Sequence, residues 1–279
     1  MIQAAFGLAM AAVWPAIASL AILFLIRFAT PQRKVASWAY VVAFVAAYCL
    51  GHALAAGAEF TFRPSRNWHW LFYLVPIAGV AGVLSTSPRA SWFNRCFLIA
   101  VLAVLTAGLL TTRPNLWAPR SLFIAAIFVY LIACWLTFEP LASRLEPARI
   151  SAAFWLAAAA LAAMIAEQIS LTDGGIVASA AGALAGICIF ALITKSVEPT
   201  AAFAVPVAIA LGGWAWKEVL TESRLWPLLI LPLAPATLWL TQSGPLARLG
   251  GIARMATQLA VTFVVIVVAA ILIRGFADG

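Results

Sequence analysis

The chain has 279 residues, of which 65% are hydrophobic and only 9% charged, and its mean hydropathy is +1.06. Soluble domains carry about 25% charged residues, so 17 basic and 9 acidic side chains are too few to cover a globular surface of this size. Apolar stretches of about 20 residues, the length that crosses a hydrocarbon core of roughly 30 Å, recur instead.

The composition therefore predicts an all-α, polytopic bundle in a lipid bilayer, with residues 1–279 forming a single transmembrane domain. The longest polar stretches run from Glu59 to Trp70 and from Thr241 to Arg254. Neither can hold a soluble domain, which excludes an attached ATPase, kinase or nucleic-acid-binding module. The net charge of +8 falls in loops at helix ends, where lipid headgroups rather than nucleic acid are the expected neighbours.

Ten spans are expected, at residues 5–27, 36–58, 69–86, 96–112, 121–141, 150–171, 176–195, 200–220, 225–241 and 255–274. Proline beside polar or charged residues marks the breaks, as in Thr30-Pro31-Gln32-Arg33-Lys34, Ser87-Pro88-Arg89 and Glu146-Pro147-Ala148-Arg149. The third, fourth and ninth spans are short, so counts of eight and nine stay open beside ten. No charge precedes Arg27, whereas a signal peptide needs a positive region before its apolar core. The first span is thus expected to be a retained helix with its N-terminus outside the cell. That orientation puts ten of the 17 basic residues in cytoplasmic loops and seven outside, the sign that the positive-inside rule requires. The expected location is the plasma membrane of a bacterial-type cell.

An ionisable residue inside a span is costly and is a functional hypothesis by default. The second span carries His52, with Tyr48 one turn before it and Glu59 seven residues beyond, on one broad face. The sixth ends in Glu167 and Gln168, with Asp173 in the following turn, and the eighth carries Lys217 and Glu218. These three spans run in the same direction, so His52, Glu59, Glu167, Gln168, Lys217 and Glu218 are expected at one membrane face. They are read as a polar vestibule in which Lys217 pairs with an acid. The bland alternative is a set of snorkelling or solvated helix-end residues.

In the seventh span Ala178, Gly182 and Gly186 recur every four residues. Small side chains at that spacing let two helix backbones approach closely, and the partner helix can belong to the same chain or to another membrane protein. The ninth span holds Pro227, Pro232 and Pro235. Each removes a backbone donor and clashes with the preceding turn, so a broken helix is expected there. Eight of the twelve tryptophans, Trp68 and Trp214 among them, lie near proposed helix ends and read as an interfacial belt.

No catalytic, nucleotide-binding or metal-binding motif is present, and no cofactor or metal is expected. Cys49, Cys96, Cys134 and Cys188 stand singly in apolar runs and read as small core residues. Two functional readings remain. Ten spans, no appended domain and a broken helix favour a small-molecule or ion transporter. Nearly charge-free span centres and a small-residue face favour a non-catalytic subunit or scaffold of a larger membrane complex.

Overall fold

The computed structural model describes residues 2–30, 35–57, 60–64, 66–87, 89–112, 116–196, 200–242 and 251–277. Glu59 lies outside these residues. Among those described there is no strand, and nine helical segments are long and apolar enough to cross a membrane. A tenth, of 17 residues, is shorter and equally apolar. The helices are α1 (Ile2–Ala29), α2 (Ser37–Ala56), α3 (His69–Ser85), α4 (Trp92–Leu110), α5 (Arg120–Arg144), α6 (Pro147–Gln168), α7 (Leu171–Thr194), α8 (Ala204–Thr221), α9 (Ile230–Leu233) and α10 (Gly251–Ala277). Turns of 3₁₀ helix precede α8, at Ala201–Phe203, and flank α9, at Ser223–Leu229 and Ala234–Thr241. The multi-pass, all-α bundle expected from composition is the observed fold.

The centre of the bundle is α8, in which every residue from Ala204 to Leu220 is buried. A helix apolar on all sides is enclosed by other helices or by lipid, and glycines place this one among helices. A Cβ on Gly212 would come within 2.9 Å of Leu131 on α5, and one on Gly213 within 2.6 Å of Leu71 on α3. Both are closer than a side chain tolerates without repacking. The periphery looks different: Phe28, Phe97, Leu122, Val264 and Ile271 are exposed. In water such a surface would be an aggregation liability, and in a bilayer it is the lipid-facing wall.

The small-residue stripe of α7 has its partner within the chain. A Cβ on Gly182 would strike the backbone of Ala12, and one on Gly186 the backbone of Ala16 and the hydroxyl of Ser19. The contacts advance four residues on both helices together, so α1 and α7 run parallel, with Ala12 and Ala16 facing the two glycines. Ala178 is buried in the same stripe. Gly51 of α2 meets Ser179 and Pro15 in the same way, which brings three helices into one close contact. Of the two partners that the sequence allows this face, the one in the same chain occupies it. The stripe is therefore not open to another membrane protein.

The ninth span is interrupted where its prolines fall. Pro227 lies in the first 3₁₀ segment, Pro232 in the four-residue α9, and Pro235 at the start of the second 3₁₀ segment. The Tyr130 hydroxyl of α5 donates to the carbonyl of Leu229, the N-cap of α9, at 2.8 Å. All three prolines are buried. Protein surrounds the interrupted segment, as membrane depth requires.

Candidate polar site at one membrane face

The C-terminal ends of α2, α6 and α8 and the N-terminal ends of α3 and α7 share one face of the bundle. Each brings a different residue. Lys217 stands about one turn before the end of α8. Asp173 is the third residue of α7, whose N-cap Ser170 accepts a hydrogen bond from the Asp173 amide. This pairing leaves the Asp173 carboxylate at the positive end of a helix dipole, where negative charge is stabilised. The Lys217 ammonium donates to Asp173 Oδ2 at 2.8 Å and to Glu218 Oε1 at 2.9 Å. Side-chain exposure is 8% for Lys217, 14% for Asp173 and zero for Glu218. With all three ionised, the group holds two negative charges and one positive.

An aromatic wall adjoins these charges. Trp214, one turn before Lys217 on α8, presents its ring 5.4 Å from the ammonium, within reach of a cation–π attraction. Its indole N–H donates to the Tyr48 hydroxyl at 3.0 Å, and that hydroxyl lies 3.2 Å from Nδ1 of His52. An indole N–H can only donate. The Tyr48 hydroxyl therefore accepts from Trp214 and joins it to His52, the direction of the second bond following the His52 tautomer. Trp68 stacks on His52 with ring centres 5.7 Å apart and lies 6.2 Å from Trp214. Phe72 meets His52 edge-on at 5.4 Å.

Of the residues expected at this face, the structure brings together His52, Lys217 and Glu218. All three are buried, so the group is enclosed rather than an open vestibule. Glu167 is not part of it. Its side chain is 44% exposed and accepts from Arg274 of α10 at 3.0 Å, on the outside of the bundle. Gln168 is half-buried in the last turn of α6. The position in the group that Glu167 was expected to fill is taken by Asp173. Trp214 and Trp68 depart from the expected interfacial belt, since both pack inside the bundle. Trp214 is wholly buried and Trp68 nearly so, with the Trp214 N–H satisfied by a side chain. One sequence signal pointed this way, since Trp214 precedes Lys217 by three residues and shares its helical face.

At the opposite face, Arg95 of α4 pairs with Glu139 of α5. Its guanidinium also stands 5.9 Å from the Trp92 ring. The four cysteines are free thiols. Among the described residues no group of three or more His, Cys, Asp or Glu is arranged to hold a metal ion.

The fold and this buried polar group define a multi-pass helical membrane protein. No protein-family model and no curated protein matches the chain.

Proposed function

We propose that the protein moves a small molecule or ion across the bilayer, and that Asp173, Lys217 and Glu218 form the group that handles charge during the cycle. The observation that carries this reading is the burial of two carboxylates and one ammonium on and beside the most enclosed helix of the bundle. Ionic groups at such positions in membrane proteins line substrate and ion pathways more often than they serve packing. The two carboxylates come from different helices, α7 and α8, and meet at one ammonium.

The ninth span adds support. A broken helix packed beside α8 and α10 provides a segment whose backbone polar groups are held by side chains, as in the Tyr130 bond to Leu229, and such segments form sites in many transporters. The scaffold reading loses one of its two supports, because the small-residue face of α7 is covered by α1. In this proposal the protein is not an enzyme. It lies in the plasma membrane of a bacterial-type cell, with the N-terminal end of α1 and the polar group at the outer face. The distribution of basic residues, ten inside and seven outside, supports that orientation.

The test is electrometry on reconstituted proteoliposomes under imposed gradients of protons, sodium and a panel of amines, amino acids and organic anions. Wild-type protein is expected to give a substrate-dependent current that Glu218→Gln abolishes while remaining folded. Currents no larger than those of empty liposomes across the panel, or equal currents from Glu218→Gln, would overturn the proposal.

A further inference from the structure

We propose that the lipid-facing side of α3 seats one anionic diacyl phospholipid. Its two acyl chains lie in the grooves on either side of a ridge formed by Val80 and Leu84, and its headgroup phosphate meets Arg89. The proposal goes beyond the transport reading and needs only the membrane bundle.

Val80 and Leu84 stand one turn apart on α3, and both are exposed. Each borders two separate cavities. One, of about 520 Å³, lies between α2 and α3 and is lined by Trp38, Val42, Ala46 and Pro76 besides the two ridge residues. The other, of about 250 Å³, lies between α3 and α4 and is lined by Ile77, Leu98, Val101 and Leu105 besides the same two. Two apolar furrows astride one ridge match the two chains of a single lipid.

The furrows also have the depth of one leaflet. Trp38 to Ala46 on α2 and Leu84 to Pro76 on α3 are each eight residues, or about 12 Å along a helix axis. Half of a hydrocarbon core of roughly 30 Å is only slightly longer. Pro76 and Ile77 lie at the middle of α3, so both furrows keep to the half of that helix that ends at Ser85. A helix of another protein would pack along the whole thickness of the membrane, whereas an acyl chain occupies this half alone. Protein closes the floor of the larger furrow, since a Cβ on Gly79 would come within 2.9 Å of Val45 and 3.0 Å of Val41.

The headgroup end is basic. α3 has 17 residues and spans about 26 Å, short of the full core, so the turn after it is drawn toward phosphate depth. Arg89 stands in that turn, five residues beyond Leu84, and is exposed. Among the described residues no carboxylate pairs with it. The α1–α2 and α3–α4 connections at this face hold Arg33, Lys34 and Arg89 and no acid. Basic residues above an apolar furrow between helices are complementary to an anionic headgroup. Trp38 and Trp92, exposed in the first turns of α2 and α4, flank the seat with the amphipathic rings that settle at that depth.

The test is thermal unfolding of the full-length protein in detergent, with phosphatidylglycerol or phosphatidylcholine of identical acyl chains added at equal concentration. A ligand that binds only the folded state raises its melting temperature. Phosphatidylglycerol is expected to raise that of the wild type by several degrees more than phosphatidylcholine does. The margin should fall by at least half in Arg89→Ala, which removes the headgroup contact, and in Ala46→Trp, which fills the larger furrow from an exposed position. Equal melting temperatures of the wild type in the two lipids would overturn the proposal, as would a margin that stays above half in either variant.

If Ala46→Trp does not accumulate as folded protein, native mass spectrometry of the wild type and Arg89→Ala decides the question. One retained phosphatidylglycerol per wild-type chain, lost from Arg89→Ala, supports the seat. Equal retention by the two proteins removes it. A wild-type dimer that retains no lipid would give this side of α3 to a second copy of the chain and likewise removes it. None of these readouts depends on transport.

Discussion

Two acid–base groupings stand at the same face of this bundle with nearly the same bond lengths. Arg274 meets Glu167 at 3.0 Å, and Lys217 meets Asp173 and Glu218 at 2.8 and 2.9 Å. Their surroundings differ. The arginine and its acid are 60% and 44% exposed, while the lysine and its two acids are almost or wholly enclosed. An exposed pair exchanges water for a partner at little gain, and its net worth is about 0–1 kcal/mol. A buried group has already lost its water, so removal of one member leaves a charge with no compensation. That loss costs about 3–5 kcal/mol. Geometry is alike in the two places and consequence is not.

The largest expected effect follows directly. Lys217→Met keeps most of the volume and stem of the side chain and deletes the charge that Asp173 and Glu218 both meet. Unfolding in detergent is expected to become easier by about 3–5 kcal/mol, which lowers the apparent melting temperature by about 10 °C for a chain of this size. A loss below about 1 kcal/mol would place the buried group in the same class as the exposed pair and end the comparison.

A smaller effect is expected from Tyr48→Phe, which tests whether the aromatic side of the buried group is held as firmly as its charged side. The substitution leaves the ring and removes the hydroxyl that accepts from the Trp214 N–H, on a side chain with no exposure. Stranding a buried donor costs about 1–3 kcal/mol. The cost should shrink when Trp214→Phe is already present, because both halves of the bond are then gone. A double-mutant cycle measures the difference. If the two substitutions simply add, the bond contributes nothing and the wall is packing alone.

Much of this architecture was legible in the sequence, and what was not has a physical cause. Span positions could be read because a bilayer demands long apolar runs, and because proline and charge cannot continue them. α4 starts at Trp92, four residues before the expected boundary, since Ser91 caps it through the Asn94 amide and aromatic residues fill its first turn. The enclosure of α8 was not legible. In lipid every helix is apolar all round, so no hydrophobic stripe tells a central helix from a peripheral one. The same loss of contrast misplaced Trp214, since a tryptophan near a helix end reads as interfacial whether its neighbours are lipid or protein. Glu167 and Asp173 are six residues apart in the α6–α7 connection, and the sequence places both at the same face of the membrane. Which of them faces α8 is settled by the rotation of each helix, a property of packing that composition does not carry. The stripe of Gly182 and Gly186 announced a close contact, and only the matching Ala12 and Ala16 on α1 say with whom.

The smallest expected effect completes the contrast. Glu167→Gln preserves shape and removes the charge that Arg274 meets, on a side chain 44% exposed to its surroundings. Arg274 is itself 60% exposed and at the C-terminal end of α10, where the helix dipole and nearby headgroups hold a positive charge without help from Glu167. The change in unfolding free energy should stay below about 1 kcal/mol, and any gradient-driven current should persist at its wild-type size. Raising the salt concentration should leave Glu167→Gln and the wild type closer still, because an exposed pair is screened within a Debye length of about 10 Å at 0.1 M. The enclosed group should show no such convergence between Lys217→Met and the wild type. A Glu167→Gln loss as large as that of Lys217→Met would mean that the rim pair and not the enclosed trio fixes the charge at this face. The assignment of Asp173, Lys217 and Glu218 as the charge-handling group would then fall.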